Sequence, residues 1–427
     1  ADYKGSERWY QELRKFSEQR GKQDTAGKQA RSRLAWLDIA LPQRSAEMLT
    51  DTFPAVFRLL CSKDVSLPPF SVTSTLPSIM NGGKDFSAWS KKDDLRYQTL
   101  RIPVEAVLGK DGFGLADTAI AESKFEKGED ISARMLSMMG RIHEIQQNGT
   151  PDIEFAAMGL LSRSQFASGR ADDARHTLEL LRTRFEKQGK KRFLPNIDAM
   201  LCRLALQTGD LDTVESWYRE KAPRDPQQIN VMKRYQYLTQ AMAELADGKP
   251  DAALLTLAPL RTYCQVCRRH IDGIHLDMLY AIALYRQDDK VWQEHLLAAL
   301  DASKEFSFIR TISMYGNAAL PLLETLSWDK DSKWGSRLMG AVRMQASCYP
   351  AFLQPPLPHG EELTAAEMQV LRLICADRSN AEIGAILNIK LPTVKTHVRH
   401  ILTKLNVSRR GEAKTAAKKL RLIPDDL

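Results

Sequence analysis

Cysteine is scarce: six in 427 residues. That is too few to staple a chain of this size, which excludes a secreted disulfide framework. Long apolar runs are missing as well. None approaches the roughly 20 residues that a membrane-spanning helix needs. The opening Ala1-Asp2-Tyr3-Lys4-Gly5-Ser6-Glu7-Arg8 is polar and has no apolar core of a signal peptide. Its first residue is not Met, which points to processing or to residues upstream. No GxxxxGK followed by Ser or Thr occurs, and no nucleophile elbow or dinucleotide fingerprint. Asn81-Gly82-Gly83-Lys84-Asp85 has the wrong spacing for a phosphate loop, with Asp after its lysine. No catalytic residue and no cofactor is therefore expected, and a cytoplasmic protein fits these absences.

What is present supports a folded core, with 43% hydrophobic and 27% charged residues. The length allows two or three domains at roughly 150 residues each. Charge is unevenly placed. From Lys390 to Arg421 there are ten basic residues, and only Glu412 opposes them. This segment holds a net +9 of the chain's +8, so the remainder is close to neutral. A cationic character confined to one stretch is what a polyanion-binding module produces, or else a solvated helix face.

Runs with 3.6-residue periodicity dominate, and strand-like alternation is scarce. Short turns recur at Gly128, Gly169, Gly209, Gly248 and Gln287, spaced 41, 40, 39 and 39 residues apart. Helical stripes flank them, such as Ala174, Leu178, Leu181 and Phe185, or Leu276, Leu279, Tyr280, Ala283 and Leu284 opposite Trp292, Leu296, Ala299 and Leu300. Helix pairs at a fixed period stack into a solenoid, since neither helix buries its apolar face alone. The expected fold is all-α: a TPR-like helical-hairpin array followed by a small four-helix unit. Residues 1–120 are read as mainly helical and of unclear role, with a buried helix at Leu34, Trp36, Leu37, Ile39 and Leu41 and a loop at Leu67-Pro68-Pro69-Phe70. Residues 121–349 form the repeats. Four prolines and a glycine between Tyr349 and Gly360 mark a spacer over 350–361, and 362–427 form the terminal unit.

Cys264-Gln265-Val266-Cys267, with His270 and His275, has no second CxxC to complete a zinc site, so reduced structural cysteines are expected and no metal. In the terminal unit, Thr364-Ala365-Ala366-Glu367 and Ser379-Asn380-Ala381-Glu382 are capping boxes. The second opens a helix carrying Ile383, Ile386 and Leu387. After a tight turn, Pro392 stands in the first turn of the next helix, where its missing amide costs nothing. Val394, Val398, Ile401, Leu402 and Leu405 form its buried stripe. Its other side presents Thr396, Arg399, His400 and Thr403, with Thr393 near its start and Lys395 and Lys404 on the flanks. This is a helix-turn-helix whose second helix suits the major groove. Lys404, Arg409 and Arg410 are assigned to phosphates.

These residues resemble the LuxR-family DNA-binding domain. The matches include Leu363-Thr364, Glu367, Val370-Leu371, Ser379-Asn380, Glu382-Ile383, Thr393-Val394-Lys395, His397, Ile401, Lys404-Leu405, Val407 and Arg410. Ala366, Asp377 and Lys390 depart from the pattern, standing where Arg, Gly and Ser are usual. The resemblance implies that the fourth helix, about Gly411 to Leu420, dimerises through its small face of Ala413, Ala416, Ala417 and Leu420. A helical-repeat region ahead of such a terminus is similar to MalT-like regulators, in which a nucleotide-hydrolysing domain precedes a repeat superhelix that receives the inducer. With no phosphate loop, the chain is either the C-terminal part of such a protein or a version lacking that domain. The resemblance implies an activator working with RNA polymerase at bacterial promoters. The implied partners are double-stranded promoter DNA, an inducer or protein on the repeats, and a second copy on DNA. The competing expectation is a repeat scaffold with a non-essential helix-turn-helix. A sigma factor ranks third.

Overall fold

The periodic runs become helices in the computed structural model, which describes residues 3–21, 23–44, 46, 71, 73–223, 230–353, 363–405, 407, 409–419 and 422. The expected loop at Leu67–Phe70 and most of the proline-rich spacer lie outside these residues. Among the described residues the only β-type pairing is one isolated bridge between Asn81 and Asp85. The chain is all-α, repeats first and helix-turn-helix last.

Each predicted turn reverses the chain through a left-handed residue: Gly128, Gly169, Gly209 and Gly248 at φ 68° to 78°. The fifth turn has no glycine, and Asp288 takes the position at φ 55°, as short polar residues occasionally do. Gly128 joins α5 (Leu115–Glu126) to α6 (Ser132–Gly140), which α7 (Ile142–Asn148) follows. The later turns join α8 (Pro151–Ala167) to α9 (Ala171–Lys187) and α10 (Leu194–Thr208) to α11 (Leu211–Glu220). The last two join α12 (Arg234–Ala246) to α13 (Pro250–Val266) and α14 (His270–Arg286) to α15 (Trp292–Phe306). The expected boundary at 121 thus falls inside α5.

The second helix of each pair is amphipathic, as its stripe requires. In α9, Ala174, Leu178, Leu181 and Phe185 are buried while Leu180 on the other side is exposed. The first helices differ. In α14 apolar Ile271, Ile274, Leu279 and Ile282 and charged Asp272 are all buried, on every side of the helix. The cause is a segment that periodicity does not reveal.

Residues 73–86 run as turns and bends along the inner helices, each of them buried or half-buried. Their polar groups are matched one by one. Thr73 Oγ1 donates to Asp152 at 2.7 Å, and Asn196 Nδ2 donates to the Thr75 carbonyl at 2.8 Å. Glu122 accepts the Ile79 and Met80 amides at 2.8 and 3.0 Å. Arg234 and Arg269, both about 2% exposed, donate to carbonyls of Asn81 and Gly82 and share Asp272. Asp85 accepts the Ile271 amide at 2.9 Å. Pro77 reaches α8 only because position 159 is glycine; a Cβ there would lie 2.9 Å from the Pro77 Cβ. The Gly82-Gly83-Lys84 run is part of this inlay. Lys84 Nζ donates to the carbonyls of Leu41 and Arg44, and burial lowers its ammonium to about 7. It binds backbone, not phosphate.

N-terminal α1 (Tyr3–Glu18) and α2 (Thr25–Ala40) pair with each other, Tyr10 donating to Asp38 at 2.7 Å. Leu34, Trp36, Leu37 and Leu41 are only half-buried there; Gly27, Ala30 and Ser32 are enclosed. The side chain of Ile39 lies outside the description. Two connecting helices, α3 (Ser87–Ser90) and α4 (Asp93–Leu108), lead into the array.

At its far end the array meets its own beginning. The Ile309 amide, just before α16 (Arg310–Ser313), donates to the Glu126 carbonyl at 2.7 Å. Then α17 (Gly316–Thr325) and α18 (Lys333–Cys348) close the ring, Arg337 donating to the Lys127 carbonyl at 2.9 Å. Tyr349 stacks on Phe166 at 4.0 Å and donates to its carbonyl at 2.8 Å. Leu353, the last described residue before the spacer, is buried, and its carbonyl accepts from Arg286.

Candidate nucleic-acid interface

The terminal unit comprises α19 (Ala365–Cys375), α20 (Asn380–Leu387), α21 (Leu391–Lys404) and α22 (Arg410–Lys419). Both capping boxes form. Thr364 Oγ1 accepts the Glu367 amide at 3.2 Å while Glu367 accepts the Thr364 amide at 2.8 Å; the Ser379 and Glu382 pair does the same at 3.3 and 2.7 Å. The unit has its own core, formed by Val370, Leu371, Ile374, Ile383, Val394, Ile401 and Leu405, with Val398 and Leu402 half-covered beside it. Ile386, on the same helix as Ile383, points outward at 56% exposure.

Between α20 and α21 the backbone reverses through Asn388 at φ 52°. The Ile389 carbonyl then lies against Gly384, where a Cβ would sit 2.9 Å from it. Only glycine lets the two helices approach so closely here. Lys390 supplies no side-chain cap in the sequence, but its carbonyl accepts the Thr393 and Val394 amides at 2.9 and 3.1 Å.

With Val394 and Ile401 turned inward, Thr393, Lys395, Thr396, Arg399 and His400 stand exposed on α21. Thr396 Oγ1 donates to the Pro392 carbonyl at 3.1 Å, leaving its oxygen to accept. No acidic residue occurs in α21. Its outer side is thus a surface of cations, hydroxyls and one imidazole, the donor set that base edges and phosphates require. The side chain of Thr403 lies outside the described residues, and so does Leu420.

Two residues assigned to phosphates are held inside the domain. Lys404 Nζ lies 2.8 Å from Glu367 Oε2, with His400 Nδ1 3.8 Å from the other oxygen. Burial opposes the Glu367 charge, but the Lys404 bond and the Thr364 amide outweigh it and hold the carboxyl below its ordinary range. Arg410 donates to Asn380 Oδ1 at 2.7 Å and to the Arg378 carbonyl, clamping the start of α22 to α20. Its closeness in sequence to Arg409 hid this, because one step along the chain at a helix start turns the side chain by about 100°. Arg409 stays exposed.

The small-residue face of α22 must be corrected likewise. Ala413 and Ala417 are fully buried in the domain core and Ala416 packs half-covered against it. Small side chains here let α22 sit close to its own domain, so they are not open to a second copy.

In the repeats, Cys264 and Cys267 are buried, and burial raises both thiols. Among the described residues no group of three His, Cys, Asp or Glu is placed to hold a metal. No helix among them is long and apolar enough to cross a membrane.

Comparison with known proteins follows the same division. Residues 139–329 match the family described as the MalT-like TPR region, and residues 361–417 match the bacterial regulatory proteins of the luxR family. The HTH-type transcriptional regulator MalT of Klebsiella pneumoniae is 25% identical over 291 residues, covering 63% of this chain and 32% of that protein. The chain therefore spans about a third of that relative's length. The transcriptional regulatory protein LiaR of Bacillus subtilis is 46% identical over 186 residues, covering 41% of this chain and 77% of LiaR. No solved structure matches the chain. With its helix-turn-helix and its repeats both matched, the chain belongs to the LuxR family of bacterial regulatory proteins.

Proposed function

We propose that this protein is a sequence-specific DNA-binding transcriptional regulator. The N-terminal half of α21 enters the major groove, with Lys395, Thr396 and Arg399 toward base edges and Thr393 and His400 beside them. Arg409 contacts a phosphate. One observation carries this reading: the aliphatic side of α21 is consumed by the domain's own core, while its outer side offers donors and no carboxylate. The names of MalT and LiaR as transcriptional regulators support it. Activation together with RNA polymerase, and reception of an inducer or protein by the repeats, complete the proposal on family grounds. Any pairing of two copies through α22 falls on its exposed residues Gly411, Glu412 and Thr415, since the alanines face inward.

The test is titration of the full chain against genomic fragments selected for tightest binding. Log affinity is expected to fall linearly with log salt, with a slope of about −0.9 per phosphate contacted. Arg399→Ala is expected to lose about 1–3 kcal/mol on the preferred duplex and much less on unrelated duplexes. Equal losses on both sink the groove-reading assignment.

A further inference from the structure

The inner helices and the inlaid segment line a cavity of about 150 Å³. Residues 76–78 and Asn81 of the inlaid segment form one side, and the inner helices from α5 to α14 form the walls, with α16 and Gln345 of α18 opposite. At roughly 10–15 Å³ per water, the space is on the order of ten waters, or a small organic molecule.

The charges around it do not balance. Arg163 is matched by Glu122 and Glu126, its nitrogens lying against both carboxylates. Asp272 is matched by Arg234 and Arg269. His275 is half-buried, and desolvation lowers its imidazole to about 3, so it is neutral. Two guanidinium groups are left. Arg203 donates only to neutral acceptors, Thr239 Oγ1 at 2.7 Å and the Tyr235 carbonyl at 3.0 Å, and lies 3.7 Å over the Tyr235 ring. Arg310 is half-buried, and among the described residues its guanidinium forms no ion pair or hydrogen bond; the Glu126 carboxylate acts on it only at a distance, being held by Arg163. Its Nε is enclosed without a partner, and its nearest stacking neighbour is the Phe125 ring at 5.4 Å. Withdrawing a cation from water without pairing it is costly. Here the cost is borne at a cavity wall, beside an aromatic ring and the aliphatic Leu204.

We propose that this cavity binds a small organic oxyanion, a carboxylate or phosphate ester, whose charged head pairs with Arg310 and whose apolar body lies against Phe125 and Leu204. The inference rests on the reading that the repeats receive a ligand, and it specifies that ligand's chemistry. It also supplies a route outward. Gln207 on the cavity wall donates to the Met314 carbonyl at 2.8 Å and accepts from Gln345 at 3.3 Å. Gln345 belongs to α18, the last helix before the spacer that leads to the helix-turn-helix.

The experiment is thermal unfolding of the full chain at matched ionic strength with benzoate, phenyl phosphate, inorganic phosphate or uncharged benzamide. Benzoate or phenyl phosphate is expected to raise the melting temperature by roughly 2 °C for each tenfold increase above its dissociation constant. Which of the two acts more strongly distinguishes a carboxylate from a phosphate ligand. Benzamide is expected to do nothing, and inorganic phosphate little, for want of an apolar body. Arg310→Met is expected to abolish the response and to raise the ligand-free melting temperature, because it removes an unpaired cation. Lys333→Met, on the exposed start of α18, should leave both unchanged. If the methionine variant does not fold, Arg310→Gln answers the same question. An equal response to benzamide, no response to either aromatic anion in the wild type, or an Arg310 variant that responds like the wild type overturns the proposal. Melting does not involve DNA, so failure here leaves the DNA-binding reading standing. Loss of duplex binding by the wild type would leave the cavity assignment standing.

Discussion

The helical repeats and the terminal unit use basic side chains in opposite ways. In the repeats, Arg234 and Arg269 are buried, and their donors are spent on backbone carbonyls of the inlaid segment and on Asp272. Arginine suits this because its five N–H groups form a flat fork that stays charged. In the terminal unit, Lys395, Arg399 and Arg409 stand in solvent on a surface with no acidic residue in α21. The first set holds the chain to itself, and the second faces solvent, where a polyanion can approach. A count of basic residues therefore says little, and the decisive observation is which acceptors fold within reach.

The largest expected effect breaks the first set. Asp272→Ala removes the shared carboxylate and leaves two guanidinium groups facing each other in the interior. The expected loss is about 3–5 kcal/mol, read as a lower urea midpoint. An unchanged midpoint would mean that this cluster does not anchor residues 81–85. The same carboxylate gives a pH signature. Burial alone would raise it, but Arg234 and Arg269 outweigh burial and hold it at about 2, below the ordinary value near 4. A depressed carboxyl stabilises the folded state above the unfolded value, and that contribution disappears as pH falls through about 2. Between about pH 4 and 2, Asp272→Asn should flatten the fall of stability with acid.

In the terminal unit the counterpart lies in the backbone. Gly384→Ala places a Cβ 2.9 Å from the Ile389 carbonyl. Alanine favours helix by about 1 kcal/mol, but a backbone clash at the turn cannot relax without separating α20 from α21. A net loss of roughly 1–3 kcal/mol is expected, together with weaker duplex binding. A variant that gains stability would show that the turn opens freely.

What the sequence made legible differs between these regions for the same physical reason. In the terminal unit nearly every determinant is local. Thr364 reaches Glu367 three residues away, and the Val394 to Leu405 stripe lies on one helix, so spacing alone reveals both. In the repeats, the left-handed turn residues and the stripes of α9 and α15 were equally legible. The inlay of residues 73–86 was not, because its partners Asp152, Asn196, Arg234 and Arg269 lie about 80 to 190 residues along the chain. A signal existed in charged residues such as Asp272 and Arg234 lying within helices that bury apolar residues on more than one side. The intradomain partners of Lys404 and Arg410 were hidden in the same way, since Glu367 and Asn380 lie 37 and 30 residues back.

Lys404 and Arg409 sharpen the contrast at smaller scale. Lys404→Ala is expected to lower the domain's stability by about 1 kcal/mol, since it strips a partner from a nearly buried carboxylate. The salt slope of DNA binding should not change. Arg409→Ala is expected to do the reverse, leaving the urea midpoint in place and reducing the slope by about 0.9. Exchanged outcomes would return Lys404 to the interface and move Arg409 out of it.

The smallest effect concerns the residue that departs from the family pattern at the end of α19. Asp377 lies at φ 57°. The Arg378 amide donates to the Leu373 carbonyl and the Asp377 amide to the Ile374 carbonyl, each at 3.0 Å, closing the helix as a left-handed cap. Glycine takes this conformation freely, whereas an L side chain is strained there by about 1 kcal/mol. Lys414 lies 3.5 Å from Asp377, but that carboxylate is 86% exposed, and an exposed pair contributes about 0–1 kcal/mol. Asp377→Gly should therefore stabilise the terminal unit by up to about 1 kcal/mol, measured as a higher melting temperature. At 0.5 M salt the gain should grow, because screening weakens the lost pair and leaves backbone strain untouched. A loss of stability at every salt concentration would mean that the Lys414 pair, exposed as it is, outweighs the strain, and that the terminal unit uses a surface charge structurally after all.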